Sequence, residues 1–79
     1  MHEIGLVRNL ILALEKEAAD PAVEAVKTIY LQVGRLQQLT PEIINHSFEH
    51  LPKSKKLAGA KIKVKLVDGN EFLLKKIEW

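Results

Sequence analysis

The chain has 79 residues, no cysteine and a net charge of +2, and its 47% apolar share includes only four aromatics, Tyr30, Phe48, Phe72 and Trp79. A chain this short suits one small domain, residues 1–79, close to the size at which a single and here mainly aliphatic core only just stabilises itself. Lack of thiols excludes disulfides, iron–sulfur clusters and thiolate zinc sites, and with no bilayer-length apolar run and no visible signal sequence the expectation is a cytoplasmic protein without a membrane partner.

Charge is divided unevenly. Residues 1–52 carry four basic and seven acidic side chains, whereas residues 53–79 carry eight basic and three acidic ones. The basic part either attracts an acidic partner or a phosphate backbone, or is simply the wet face of a strand.

Chemistry begins at the first three residues, Met1, His2 and Glu3. The α-amine of Met1, the first backbone amides and a ring nitrogen of His2 are close enough along the chain to close small chelate rings on one metal ion. An all-nitrogen, roughly planar donor set suits Ni(II) or Cu(II). The bulky His2 protects Met1 from removal. Metal binding there must displace protons, so affinity falls as pH drops. Most histidines near a chain start bind nothing, and spacing alone carries the idea only a short way.

Ile4 to Ala19 reads as an amphipathic helix, with Ile4, Val7, Ile11, Leu14 and Ala18 at steps of three and four and Leu10 widening the stripe. Asp20-Pro21 ends it. Residues 22–26 read either as a helical turn or as the approach to a strand. Val26 to Val33 is expected to be a strand, Ile29, Leu31 and Val33 on one face and Thr28, Tyr30 and Gln32 on the other. After Gly34 and a polar link, Thr40 caps a second helix with Pro41 in its first position and Leu39 placed to staple onto Ile44. Ile44, Phe48 and Leu51 form its buried stripe, Asn45, His46, Glu49 and His50 its wet side, and Pro52 its stop.

Lys53 to Lys56 read as a solvated basic loop. A clean alternation follows, Ile62, Val64 and Leu66 inward and Lys61, Lys63 and Lys65 outward. Asp68-Gly69 signals a hairpin into a last strand from Glu71 to Trp79. A two-residue loop would put Glu71, Leu73 and Lys75 on the core face, whereas an odd loop puts Phe72 and Leu74 there. The odd loop buries more apolar surface and is preferred, and it then needs a bulge near Lys75–Lys76 to bring Ile77 and Trp79 inward. The expected fold is α+β: an α-β-α-β-β order forming a two-layer sandwich, two helices on one face of a three-stranded sheet.

Several stretches in this order resemble the HypA/HybF family of hydrogenase nickel-insertion proteins. They are the opening Met1-His2-Glu3-Ile4, the strand ending Val33-Gly34, the helix from Pro41-Glu42 to Ser47-Phe48-Glu49, the Gly59-Ala60 entry to a strand, and Gly69-Asn70-Glu71 with Lys76-Ile77-Glu78. The resemblance implies reversible Ni(II) binding through Met1, His2 and Glu3, the last through its backbone amide. It further implies delivery to a maturation GTPase or a hydrogenase large subunit. Two departures stand out. The family's zinc lobe, with two Cys-x-x-Cys pairs between the last two strands, is missing here, so no structural zinc is expected; and Thr40 stands where some relatives carry an acidic residue near the nickel.

Other features weigh less. His46 and His50 have the spacing of a metal pair but lack a third ligand. The lysine comb of Lys61, Lys63 and Lys65 with Lys75 or Lys76 has Tyr30 as its one aromatic, which argues against nucleic acid and for a protected sheet face. An alternative to nickel delivery is a metal-free interaction module that docks an acidic partner through the basic hairpin or a sheet edge, and the uncovered edge leaves room for a homodimer. No nucleophile, paired carboxylate or phosphate loop supports an enzyme.

Overall fold

A computed structural model describes the backbone of residues 2–79 and the side chains of residues 4–79. Helix α1 (His2–Ala18) is followed by strand β1 (Thr28–Gly34), a 3-10 turn at Arg35–Gln37, helix α2 (Pro41–His50), a one-turn helix α3 (Lys55–Ala58), and strands β2 (Lys61–Val67) and β3 (Phe72–Glu78). The α-β-α-β-β order of the main elements is the expected one, and the class is α+β. Val7, Leu10, Ile11 and Leu14 of α1, with Ile44 and Phe48 of α2, close one core over Ile29, Leu31 and Val33 of β1. Ile4 of the expected stripe is exposed, so the first turn of α1 projects beyond that core.

The hairpin expectation is overturned. The sheet order is β2-β1-β3, with β2 parallel and β3 antiparallel to β1. Physics favours this arrangement: β1 is the strand buried on its core face and lacking charge, so it takes the centre, while the lysine-bearing strands take the edges. The register nonetheless matches the odd-loop reading. Val33, Leu31 and Ile29 face Phe72, Leu74 and Ile77, and the pairing shifts between Tyr30 and Leu31, which leaves Lys75 as the extra residue of a bulge. Burial falls short of expectation at the edges. Ile62 is buried, but Leu66, Leu74 and Trp79 are exposed, because the two main helices do not reach over the whole sheet.

The basic loop is also structured. Lys53 Nζ donates to the carbonyls of Phe48 (2.6 Å) and Leu51 (3.0 Å), so it caps the carboxyl end of α2. Lys56 Nζ does the same for α1 at the Ala18 carbonyl (2.7 Å). Ser54 donates to Glu15 through its backbone amide (2.8 Å) and its hydroxyl (2.6 Å), which pins the start of α3 to α1. Between these polar ties Leu57 is fully buried. A Leu57→Ala substitution is expected to cost about 3 kcal/mol in urea unfolding, the range for an aliphatic side chain removed from a closed core; a loss under about 1 kcal/mol would contradict that packing.

On α2, Thr40 Oγ1 accepts from the Ile43 amide at 3.1 Å, the expected cap. Asn45 is not on the wet side as expected. Its Nδ2 donates to the Pro41 carbonyl (2.9 Å) and, less closely, to that of Ile62 (3.4 Å), which ties α2 to β2.

Candidate functional site

The orientation of α1 decides where the candidate metal ligands lie. At its carboxyl end α1 meets α3 through Glu15–Ser54 and Lys56–Ala18, and the Val26 amide just before β1 donates to the Lys56 carbonyl (2.9 Å). The end of α1 and the start of β1 therefore share one end of the molecule, and α1 runs back against β1. Its opening turns lie toward Gly34, at the other end. Leu6, Asn9, Leu10 and Ala13 line a hollow of about 250 Å³ there with Phe72 and Leu74 of β3.

Met1 lies outside the described residues, and so do the side chains of His2 and Glu3. The backbone of His2 and Glu3 belongs to the first turn of α1. Amides of a first turn have no carbonyl partner within the helix, which leaves them open to other chemistry. Ile4 and Gly5 are exposed, while Val7 two residues on is fully buried. The described residues that follow the expected ligands are thus exposed at Ile4 and Gly5 and anchored in the core from Val7.

The remaining candidates do not assemble. His46 and His50 lie with ring centroids 4.4 Å apart and planes tilted by 54° on the exposed side of α2. No group of three or more His, Asp or Glu side chains able to hold a metal occurs among the described residues. Thr40 uses its hydroxyl oxygen as the α2 cap. Ser54 and Glu15 make a close hydroxyl–carboxylate pair, but both also serve the α1–α3 junction, and the pair is exposed. The Asp68-Gly69-Asn70-Glu71 link crosses the end of β1 instead of turning a hairpin. The amides of Gly34 and Leu36 donate to the carbonyls of Glu71 (2.7 Å) and Gly69 (2.8 Å), and Arg35 pairs with Asp68 at 3.2 Å. Sequence reasoning missed this junction, since a hairpin dipeptide and a crossing link share the same residues.

The architecture is a small α+β fold of two layers, with the first helix exposed at Ile4 and Gly5. The family model described as "Hydrogenase/urease nickel incorporation, metallochaperone, hypA" matches residues 1–72, and the chain belongs to this family. Among its relatives, the hydrogenase maturation factor HypA of Solidesulfovibrio magneticus is 33% identical over 60 residues, covering 76% of this chain and 51% of that protein. The hydrogenase maturation factor HypA of Bradyrhizobium sp. (strain ORS 278) is 30% identical over 74 residues, 94% of this chain and 66% of that protein. That of Moorella thermoacetica is 30% identical over 64 residues, 81% and 57% respectively. The chain spans between about half and two thirds of the length of these relatives. No helix among the described residues is long and apolar enough to cross a membrane.

Proposed function

We propose that the chain, acting as one domain over residues 1–79, binds Ni(II) reversibly through the Met1 α-amine, the His2 imidazole and the Glu3 backbone amide. It passes the metal to a protein partner during [NiFe]-hydrogenase maturation, in the cytoplasm and without catalysing a reaction itself. By family resemblance the partner is the maturation GTPase or the hydrogenase large subunit. The observation that carries this reading is the family match, which runs through residues 1–3 and on across both main helices and β2.

The physical support is the setting of that turn. A helix start is the positive end of the dipole and repels a bare cation. Amide nitrogens that release their protons to water as they ligate the metal would supply compensating negative charge, so binding is tied to proton release and is reversed as pH falls. Nitrogen donors in a plane match the preference of Ni(II). These 79 residues include no cysteine, so they offer no thiolate ligands for a zinc site.

Titrating Ni(II) into the untagged protein and into His2→Ala by calorimetry tests the proposal. Outer-shell partners of a metal site typically account for roughly 10–100-fold in affinity, and loss of a direct ligand is expected to cost at least that. Equal binding by both proteins would remove His2 from the site and the proposal with it.

A further inference from the structure

The sheet face turned away from the helices carries Lys61, Lys63 and Lys65 from β2 and Lys76 from β3, with Leu73 and, at the Thr28 end, one carboxylate, Glu78, placed by register opposite Thr28, Tyr30 and Gln32 of β1. The bulge residue Lys75 joins Tyr30, Gln32, Lys63 and Lys65 around a hollow of about 350 Å³ on this face. All five lysines are exposed, and among the described residues none has a carboxylate within ion-pair distance. They are not splayed apart. Lys63 and Lys76 hold their ammonium groups over the ring of Tyr30, 5.9 and 5.5 Å from its centroid, from opposite neighbouring strands.

From this we infer that the open sheet face is a docking surface for an acidic, extended segment of a protein partner, with carboxylates on Lys61, Lys63, Lys65, Lys75 and Lys76 and an uncharged side chain in the hollow beside Tyr30. Charge complementarity carries the assignment: unpaired like charges gathered around a concave, partly apolar site gain most from a polyanion. Spacing narrows the class. Alternate residues on β2 repeat every ~6.6 Å, the repeat of alternate carboxylates on another extended chain. From Lys61 to Lys65 the comb spans only about 13 Å, which limits the number of phosphates it meets. At the Gln32 end of β1, Gln32 Nε2 donates to the Glu71 carboxylate at 3.1 Å, and Glu78 lies opposite Thr28 at the other end, so negative groups bound the lysine patch and keep any anionic segment between them. Tyr30, capped by two ammonium groups, is not free to stack on a base, and this face has no arginine.

The surface stands apart from the amino-terminal metal reading, so its test uses the full chain without metal. A fluorescein-labelled heptapeptide with glutamate at alternate positions is titrated at low ionic strength, beside a labelled twelve-nucleotide single-stranded DNA. Binding of the peptide is expected to weaken at least about tenfold in Lys63→Glu/Lys65→Glu and to stay unchanged in Lys55→Glu, a lysine on α3. Lys63→Gln/Lys65→Gln, which removes charge without adding repulsion, is expected to fall in between. The inference is overturned if the peptide does not bind, if the face variants with wild-type circular dichroism bind it as the wild type does, or if the DNA binds more tightly than the peptide.

Discussion

Gly34→Ala is expected to lower stability by about 3 kcal/mol or more, a large share of what a domain of this size possesses. The reason is space and not backbone angle. Gly34 has φ −72°, ψ 140°, a conformation open to any residue. A Cβ there would run into the carbonyl group of Gly69 and lie 2.6 Å from the Asn70 nitrogen, all backbone atoms of the link that joins β2 to β3. Backbone held by its own hydrogen bonds does not step aside cheaply. Moving it sacrifices the bonds from the Gly34 and Leu36 amides, and with them the anchor for the strands on both sides of β1. Gly69 is constrained differently, since its φ of +105° lies where a side chain is strained. A contrasting substitution sharpens the expectation. Gly5 has nothing within 4 Å of a built Cβ and sits in α1, so Gly5→Ala is expected to stabilise by roughly 0.5–1 kcal/mol. Urea unfolding of the two variants checks both. A Gly34→Ala protein within about 0.5 kcal/mol of the wild type would mean that the link does not lie against β1 as described.

What was legible in the sequence follows the strength of the local signal. The periodic stripe of α1, the Thr40-Pro41 start of α2 and the alternation around β1 each rest on repeated, mutually consistent residues, and they match the structure to within a residue or two. The bulge at Lys75 was legible because only a register shift reconciles Phe72, Leu74 and Ile77 on one face. Strand order was not, because Asp68-Gly69 is an equally good link whether it turns a hairpin or crosses a third strand. Choosing between them requires knowing that β1 is the most buried strand, a property of the assembled core. Residues 53–58 were misread for a related reason. A run of lysines around Leu57 looks solvated, yet Lys53 and Lys56 spend their charges on helix-end carbonyls and so cover a buried leucine. The basic hairpin of the alternative reading is, correspondingly, a basic sheet face that straddles β1. At the amino terminus residue identity names only candidate nitrogen donors, and the backbone from His2 onward opens a helix anchored in the core.

The account rests on nitrogen donors at the chain start, and blocking one of them is the second large effect expected. Acetylating the Met1 α-amine turns the proposed amine ligand into an amide and removes its positive charge from the start of α1, while leaving the His2 side chain chemically unchanged. Nickel binding is expected to fall by on the order of 100-fold or more, since the chelate rings that include the amine are lost. The most direct measurement is the visible absorption of Ni(II) titrated into the free-amine and acetylated proteins, with mass spectrometry verifying that Met1 is retained. A planar nitrogen-bound spectrum that saturates in the first and is absent in the second is the predicted result. The same spectrum and the same affinity in both would contradict an amino-terminal nickel site.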